Sequence, residues 1–82
     1  MVIEKELVLS ELRQTVSRDS TFVEIEIYRL EDDDTWTLEV VDETNASTVW
    51  DNKYPTEQAA LDEALRVINE EGIRSFMKPG MH

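Results

Sequence analysis

The sequence predicts an α+β, two-layer domain: a three-stranded antiparallel meander with a C-terminal helix across one face. Two alternating segments joined by an acidic turn carry that expectation, together with one amphipathic segment set between a cap residue and a glycine. An N-terminal helix completes the expected order α-β-β-β-α.

The first element spans residues 3 to 17. Val8, Leu9, Leu12 and Val16 recur at helical spacing, with Glu4, Glu6, Glu11 and Arg13 as the polar complement. Leu7-Val8-Leu9 alone fits a strand, but the Glu and Leu content favours a helix. Ser17-Arg18-Asp19-Ser20 breaks it.

Three strands follow. In Phe22 to Leu30, Val23, Ile25 and Ile27 alternate with Glu24, Glu26 and Tyr28. Glu31-Asp32-Asp33-Asp34 forms a turn, and Thr35 to Val41 puts Trp36, Leu38 and Val40 on one face. With those four acidic residues as the loop, Leu30 pairs with Thr35 and Arg29 with Trp36. Ile25, Ile27, Trp36 and Leu38 then share a side, so the two patterns agree. Asp42 to Ala46 makes a second turn, and Ser47 to Asp51 a short third strand. A two- or four-residue loop puts Val49 with the core; a three-residue loop puts Trp50 there instead. The size of Trp50 favours at least partial burial.

The last element is a helix with Thr56 as N-cap and Glu57 in its first turn. Ala60, Leu61, Ala64, Leu65 and Ile68 mark its apolar face. Gly72 supplies the stop, and Ile73 can fold back on Ile68. Residues 1–76 thus read as one domain and 77–82, with Pro79-Gly80, as a flexible tail.

Composition excludes several function classes. The net charge is −11, and residues 21 to 54 hold ten acidic side chains against Arg29 and Lys53. Such a sheet repels nucleic acid and anionic lipid and favours a basic partner. No cysteine is present, which removes thiolate chemistry and the usual structural zinc sites. The charged N-terminus and the lack of a long apolar run point to a soluble cytoplasmic protein without a membrane span.

Residues 31–34 invite a calcium site, yet lack the spaced Asp-x-Asp-x-Asp-Gly pattern and its distant Glu, so they read as a solvated turn. Glu24 and Glu26 project to one face, but acid–base work needs a burial difference that nothing supplies. His82 is the only histidine and ends the tail. The expectation is therefore no catalytic, metal or cofactor site.

The face opposite the helix should carry Phe22, Tyr28, Leu30 and Val41, with Trp50 joining them if the third strand faces that way. A large apolar patch on a small domain commonly marks a partner or dimer surface, unless the first helix folds over it. The candidate contact residues are Glu24, Glu26, Tyr28, Glu39 and Trp50. They point to a protein partner of basic character. A homodimer through the apolar face or an unprotected strand edge is also compatible.

The segments Trp36-Thr37-Leu38-Glu39-Val40-Val41-Asp42, Val49-Trp50-Asp51 and Thr56-Glu57-Gln58-Ala59-Ala60-Leu61-Asp62-Glu63-Ala64-Leu65 resemble small uncharacterised bacterial proteins with a β-β-β-α core. The resemblance covers roughly residues 22 to 76 and implies plasmid- or phage-associated relatives and a fold, with no catalytic residues. The turn Tyr54-Pro55-Thr56-Glu57-Gln58-Ala59-Ala60 is similar to the strand-to-helix junction of HicB-type antitoxins, though the Gly-Asp-Thr turn of that family is missing. The element order also resembles double-stranded-RNA-binding domains, and the β-β-β-α core resembles the arm-binding domains of phage integrases. Those folds need basic residues facing phosphates, and here the final helix opens Thr56-Glu57-Gln58. The expected function is a non-enzymatic, acidic protein–protein interaction module. The alternative is a nucleic-acid mimic or antitoxin-like inhibitor of a basic protein.

Overall fold

A computed structural model describes residues 6–76. Its elements are β1 (Leu7–Leu9), β2 (Gln14–Arg18), β3 (Thr21–Leu30), β4 (Thr37–Asp42), β5 (Ser47–Val49) and α1 (Glu57–Glu71), closed by a 3-10 turn at Ile73–Phe76. The class is α+β: a five-stranded antiparallel sheet with one helix. The expected tail, 77–82, lies outside the described residues, as do residues 1–5.

The N-terminal helix expected over residues 3 to 17 is corrected to strand in its described part. β1 pairs with the second half of β3 (Leu9 opposite Tyr28) and β2 with the first half (Gln14 opposite Ile25). Both lie on the same edge of β3, so residues 10–13 form an excursion facing only Glu26 and Ile27. The misleading signal has a simple cause. Residues four and eight apart share a face in a helix and also in a strand, because two divides four. Val8 and Val16 therefore face α1 from the strands, opposite Arg29 and Val23. Leu9 separates the two periods, since in a strand it must point the other way.

Between β3 and β4 the register is the expected one, with Ile25 opposite Val40 and Ile27 opposite Leu38. The ladder stops at Thr37, since the Thr35 amide turns to Asp33 Oδ1 and the Asp33 amide takes the Leu30 carbonyl; on the other side of the strand Trp36 pairs with Tyr54 through bonds of 2.8 and 2.9 Å. Arg29 lies 5.2 Å over the Trp36 ring and donates to the carbonyls of Leu30, Glu31 and Asp33. One cation thereby closes the acidic turn.

The Asp42 amide donates to the Ala46 carbonyl (2.9 Å), so the turn between the paired residues of β4 and β5 has three residues, Glu43 to Asn45, with Asn45 at φ 73°. Asp42 is buried and its Oδ1 accepts from the Thr44 hydroxyl (2.6 Å), the Thr44 amide (2.9 Å) and the Ala46 amide (3.0 Å). The Thr44 hydroxyl chiefly holds this carboxyl below its usual range. Loop length settles the third strand: Trp50 turns to the helix side and packs on the core, and Val49 turns away.

Val23, Ile25, Ile27, Leu38 and Val40 meet Ala60, Leu61, Ala64, Val67 and Ile68 of α1, with Ile73 buried beside them. Thr56 caps the helix as expected, accepting the Ala59 amide at 3.1 Å. Val67 joins the expected apolar face, while Leu65 is only partly buried. The helix is tied to the N-terminal edge at both ends. Ser10 donates to Glu57 (2.5 Å), Arg18 to Asn69 (2.6 Å), and Arg74 to the Asp19 carbonyl (2.5 Å).

Two backbone positions are testable. Gly72 sits at φ 91°, ψ 151°, where only glycine is at ease, and an added Cβ would meet open space. Gly72→Ala should cost about 1–3 kcal/mol through backbone strain alone, read as a lower urea midpoint at unchanged slope. Asp19 and Ser20 form a two-residue hairpin turn with both φ positive, 54° and 66°. Ser20→Gly should raise stability by about 0.5–1 kcal/mol, the left-handed strain relieved less the glycine entropy.

Candidate functional site

The sheet face opposite α1 is built from the even residues of β3 and their cross-strand neighbours. Leu7 stands opposite Leu30, Leu9 opposite Tyr28, and Thr37 flanks Tyr28 on the other side. One step along, Glu26 lies opposite Glu39, which in turn faces Val49. Next come Thr15, Glu24, Val41 and Ser47 in one row, then Ser17 beside Phe22.

Among the described residues, five large apolar side chains are left between 38% and 53% exposed: Leu7, Leu9, Phe22, Leu30 and Val49. The register assigns all five to this one face. Of the expected contact residues, Glu24, Glu26, Tyr28 and Glu39 come together here. Trp50 does not join them, and its indole donates to Glu63 of α1 instead. Leu7 and Leu9 belong to this face as strand residues, which a helix over residues 3 to 17 does not foresee; the alternation in Leu7-Val8-Leu9 is the signal for it.

Two polar contacts organise the centre. The Tyr28 hydroxyl donates to Glu39 Oε1 at 3.0 Å, and Arg13 approaches Glu26 at 3.7 Å from the β1–β2 excursion. Burial, then the bond to Glu39 and the charges of Glu39 and Glu26, push the Tyr28 phenol above its ordinary value. Glu26 and Glu39 are direct cross-strand neighbours of like charge, an arrangement that costs stability. Arg13 beside Glu26 and the Tyr28 hydroxyl on Glu39 offset part of that cost.

Little else offers chemistry. A depression of ≈ 270 Å³ on this face, lined by Arg13, Gln14, Thr15, Glu24 and Glu26, is smaller than a typical ligand pocket, and a larger one of ≈ 480 Å³ lies among Val8, Leu12, Arg29, Trp36 and Glu57. In the acidic turn, the Thr35 amide and hydroxyl, with Lys53 beyond them, hold the Asp33 carboxyl down to about 2. Asp42 and Glu63 shift the same way, opposite to what a general acid requires. Among the described residues no group of three His, Cys, Asp or Glu side chains could hold a metal ion. His82 lies outside them. No protein-family model, curated protein or solved structure matches the chain, so the face is read from its own geometry.

The Glu26–Glu39 opposition can be isolated. Glu39→Gln keeps an acceptor for Tyr28 and removes one charge. It should raise stability by about 0.2–0.5 kcal/mol in low salt and by nothing measurable near 1 M, where the screening length is about 3 Å. Paired urea titrations at the two salt concentrations read the difference; a loss of stability at low salt would refute the repulsion.

Proposed function

We propose that this chain is a non-enzymatic, cytoplasmic protein–protein interaction module whose open sheet face meets a basic protein surface. One observation carries the proposal: the exposed large apolar side chains and Glu24, Glu26 and Glu39 occupy a single sheet face. Within the helix expected over residues 3 to 17, the described residues 7–9 and 14–17 could have covered this face. As strands they widen it instead, adding Leu7 and Leu9. A sheet face with apolar content is stabilised by covering it, and carboxylates in its middle select a cationic cover.

The opposed Glu26–Glu39 pair favours a second reading, a nucleic-acid mimic or antitoxin-like inhibitor that occupies a basic protein. The apolar members of the face count against pure mimicry, since a phosphate backbone offers nothing for them to imitate. No described helix is long and apolar enough to cross a membrane.

Affinity capture from a bacterial lysate, run in parallel with wild type and a Glu24→Lys/Glu26→Lys/Glu39→Lys variant of matched circular dichroism, tests the proposal. A basic protein should be held by the wild type and absent from the variant. Elution by moderate salt alone would favour the mimic, whereas retention into about 1 M salt would favour the mixed apolar and charged interface. Identical retention by both proteins would overturn the assignment of this face.

A further inference from the structure

We infer that the open face is a two-part seat for one cationic amphipathic helix of a partner protein. The Leu7, Leu9 and Leu30 corner takes an apolar anchor, and Glu24, Glu26 and Glu39 take Lys or Arg side chains further along. The inference rests on the proposed function and adds the occupant's form and spacing.

Three of the five exposed apolar side chains, Leu7, Leu9 and Leu30, gather at one corner of the face, while Val49 lies beside Glu39 and Phe22 beyond Glu24. That apolar corner lies at the β1 end, where Leu7 and Leu30 stand opposite each other next to Leu9 and Tyr28. The carboxylates begin one step along β3 and stay within two adjacent strands. Strand geometry puts Glu26 about 7 Å, and Glu24 about 13 Å, from the Leu9–Tyr28 row. On a helix rising 1.5 Å per residue, those distances separate anchor and cations by about 4–9 residues. The same sheet already accepts one fifteen-residue helix, α1, across its other face. A second helix of similar length would complete a three-layer sandwich.

A second copy of this chain is the poorer occupant. Stacking two open faces would bring two sets of three glutamates together between chains that each carry −11. A cationic helix supplies the opposite charge and the missing layer at once. Arg13 already reaches Glu26 at 3.7 Å from the β1–β2 excursion, so a cation fits beside this carboxylate.

Two synthetic helical peptides of about 18 residues test this: a Leu/Lys amphipathic peptide and a Ser/Lys control of equal charge. Each is titrated into the full chain at about 150 mM salt and followed by amide chemical shifts. The Leu/Lys peptide should bind at least about tenfold more tightly, with shifts centred on β1, β3 and β4. Leu9→Ser/Leu30→Ser, both half-exposed sites, should abolish that advantage while leaving the shifts of α1 in place. Equal affinity of the two peptides, or an unchanged advantage in the double variant, would overturn the inference; if both peptides still shift Glu24 to Tyr28, the basic-partner proposal stands. If neither peptide moves this face at about 20 mM salt, both fail. Concentration-dependent dimerisation through Leu9, seen by sedimentation, would assign the seat to a second copy and overturn the helix.

Discussion

The alternation of β3 against a single helix is the constraint on which everything else depends. Its odd residues from Thr21 to Ile27 are buried, and its even residues from Phe22 to Leu30 are not. A slip of one residue would exchange the two sets. Exposing Val23, Ile25 and Ile27 would forfeit about 5–9 kcal/mol, comparable with the roughly 4–12 kcal/mol that holds a chain of this length folded. The register is thus fixed by burial on one side, and the composition of the other side is left to be chosen by other demands. On that side the leucines keep about half their surface in water and Glu26 opposes Glu39, so the open face contributes far less to stability than the buried one.

The parts legible in the sequence were those where local chemistry and tertiary packing agree. The β3–β4 register followed from two alternating runs and one acidic turn. The helix followed from Thr56, its apolar stripe and Gly72. Glu24, Glu26, Tyr28 and Glu39 were placed together on the open face for the same reason. Trp50 could not be placed, because its facing depends on whether the preceding loop has an odd number of residues. That count is set by Asp42 accepting three local bonds, a side-chain detail invisible to periodicity.

The N-terminal edge departs from its helical pattern for a different reason. Its glutamates and leucines carry helical propensity, worth a few tenths of a kcal/mol per residue. Pairing with β3 satisfies a row of backbone groups along a ten-residue strand, and that outweighs the propensity. The turn joining β2 to β3 also lacked a warning sign. Asp19 and Ser20 adopt left-handed backbone without the Asn-Gly or Asp-Gly sequence that usually announces such a hairpin. Arg74 binds the Asp19 carbonyl and Arg18 binds Asn69, so the turn is held from the far end of the helix.

The break at residues 10–13 has a consequence for how this protein behaves in a crowd of its own kind. A long straight outer strand is a template onto which further chains can add, one after another, until fibres form. Here that border is cut into lengths of three and five residues, out of step with each other by the excursion that Ser10 fastens to Glu57. The opposite border, β5, is only three residues long. A molecule that keeps leucines uncovered on a flat surface thus denies them the polymerisation route most open to a β-sheet.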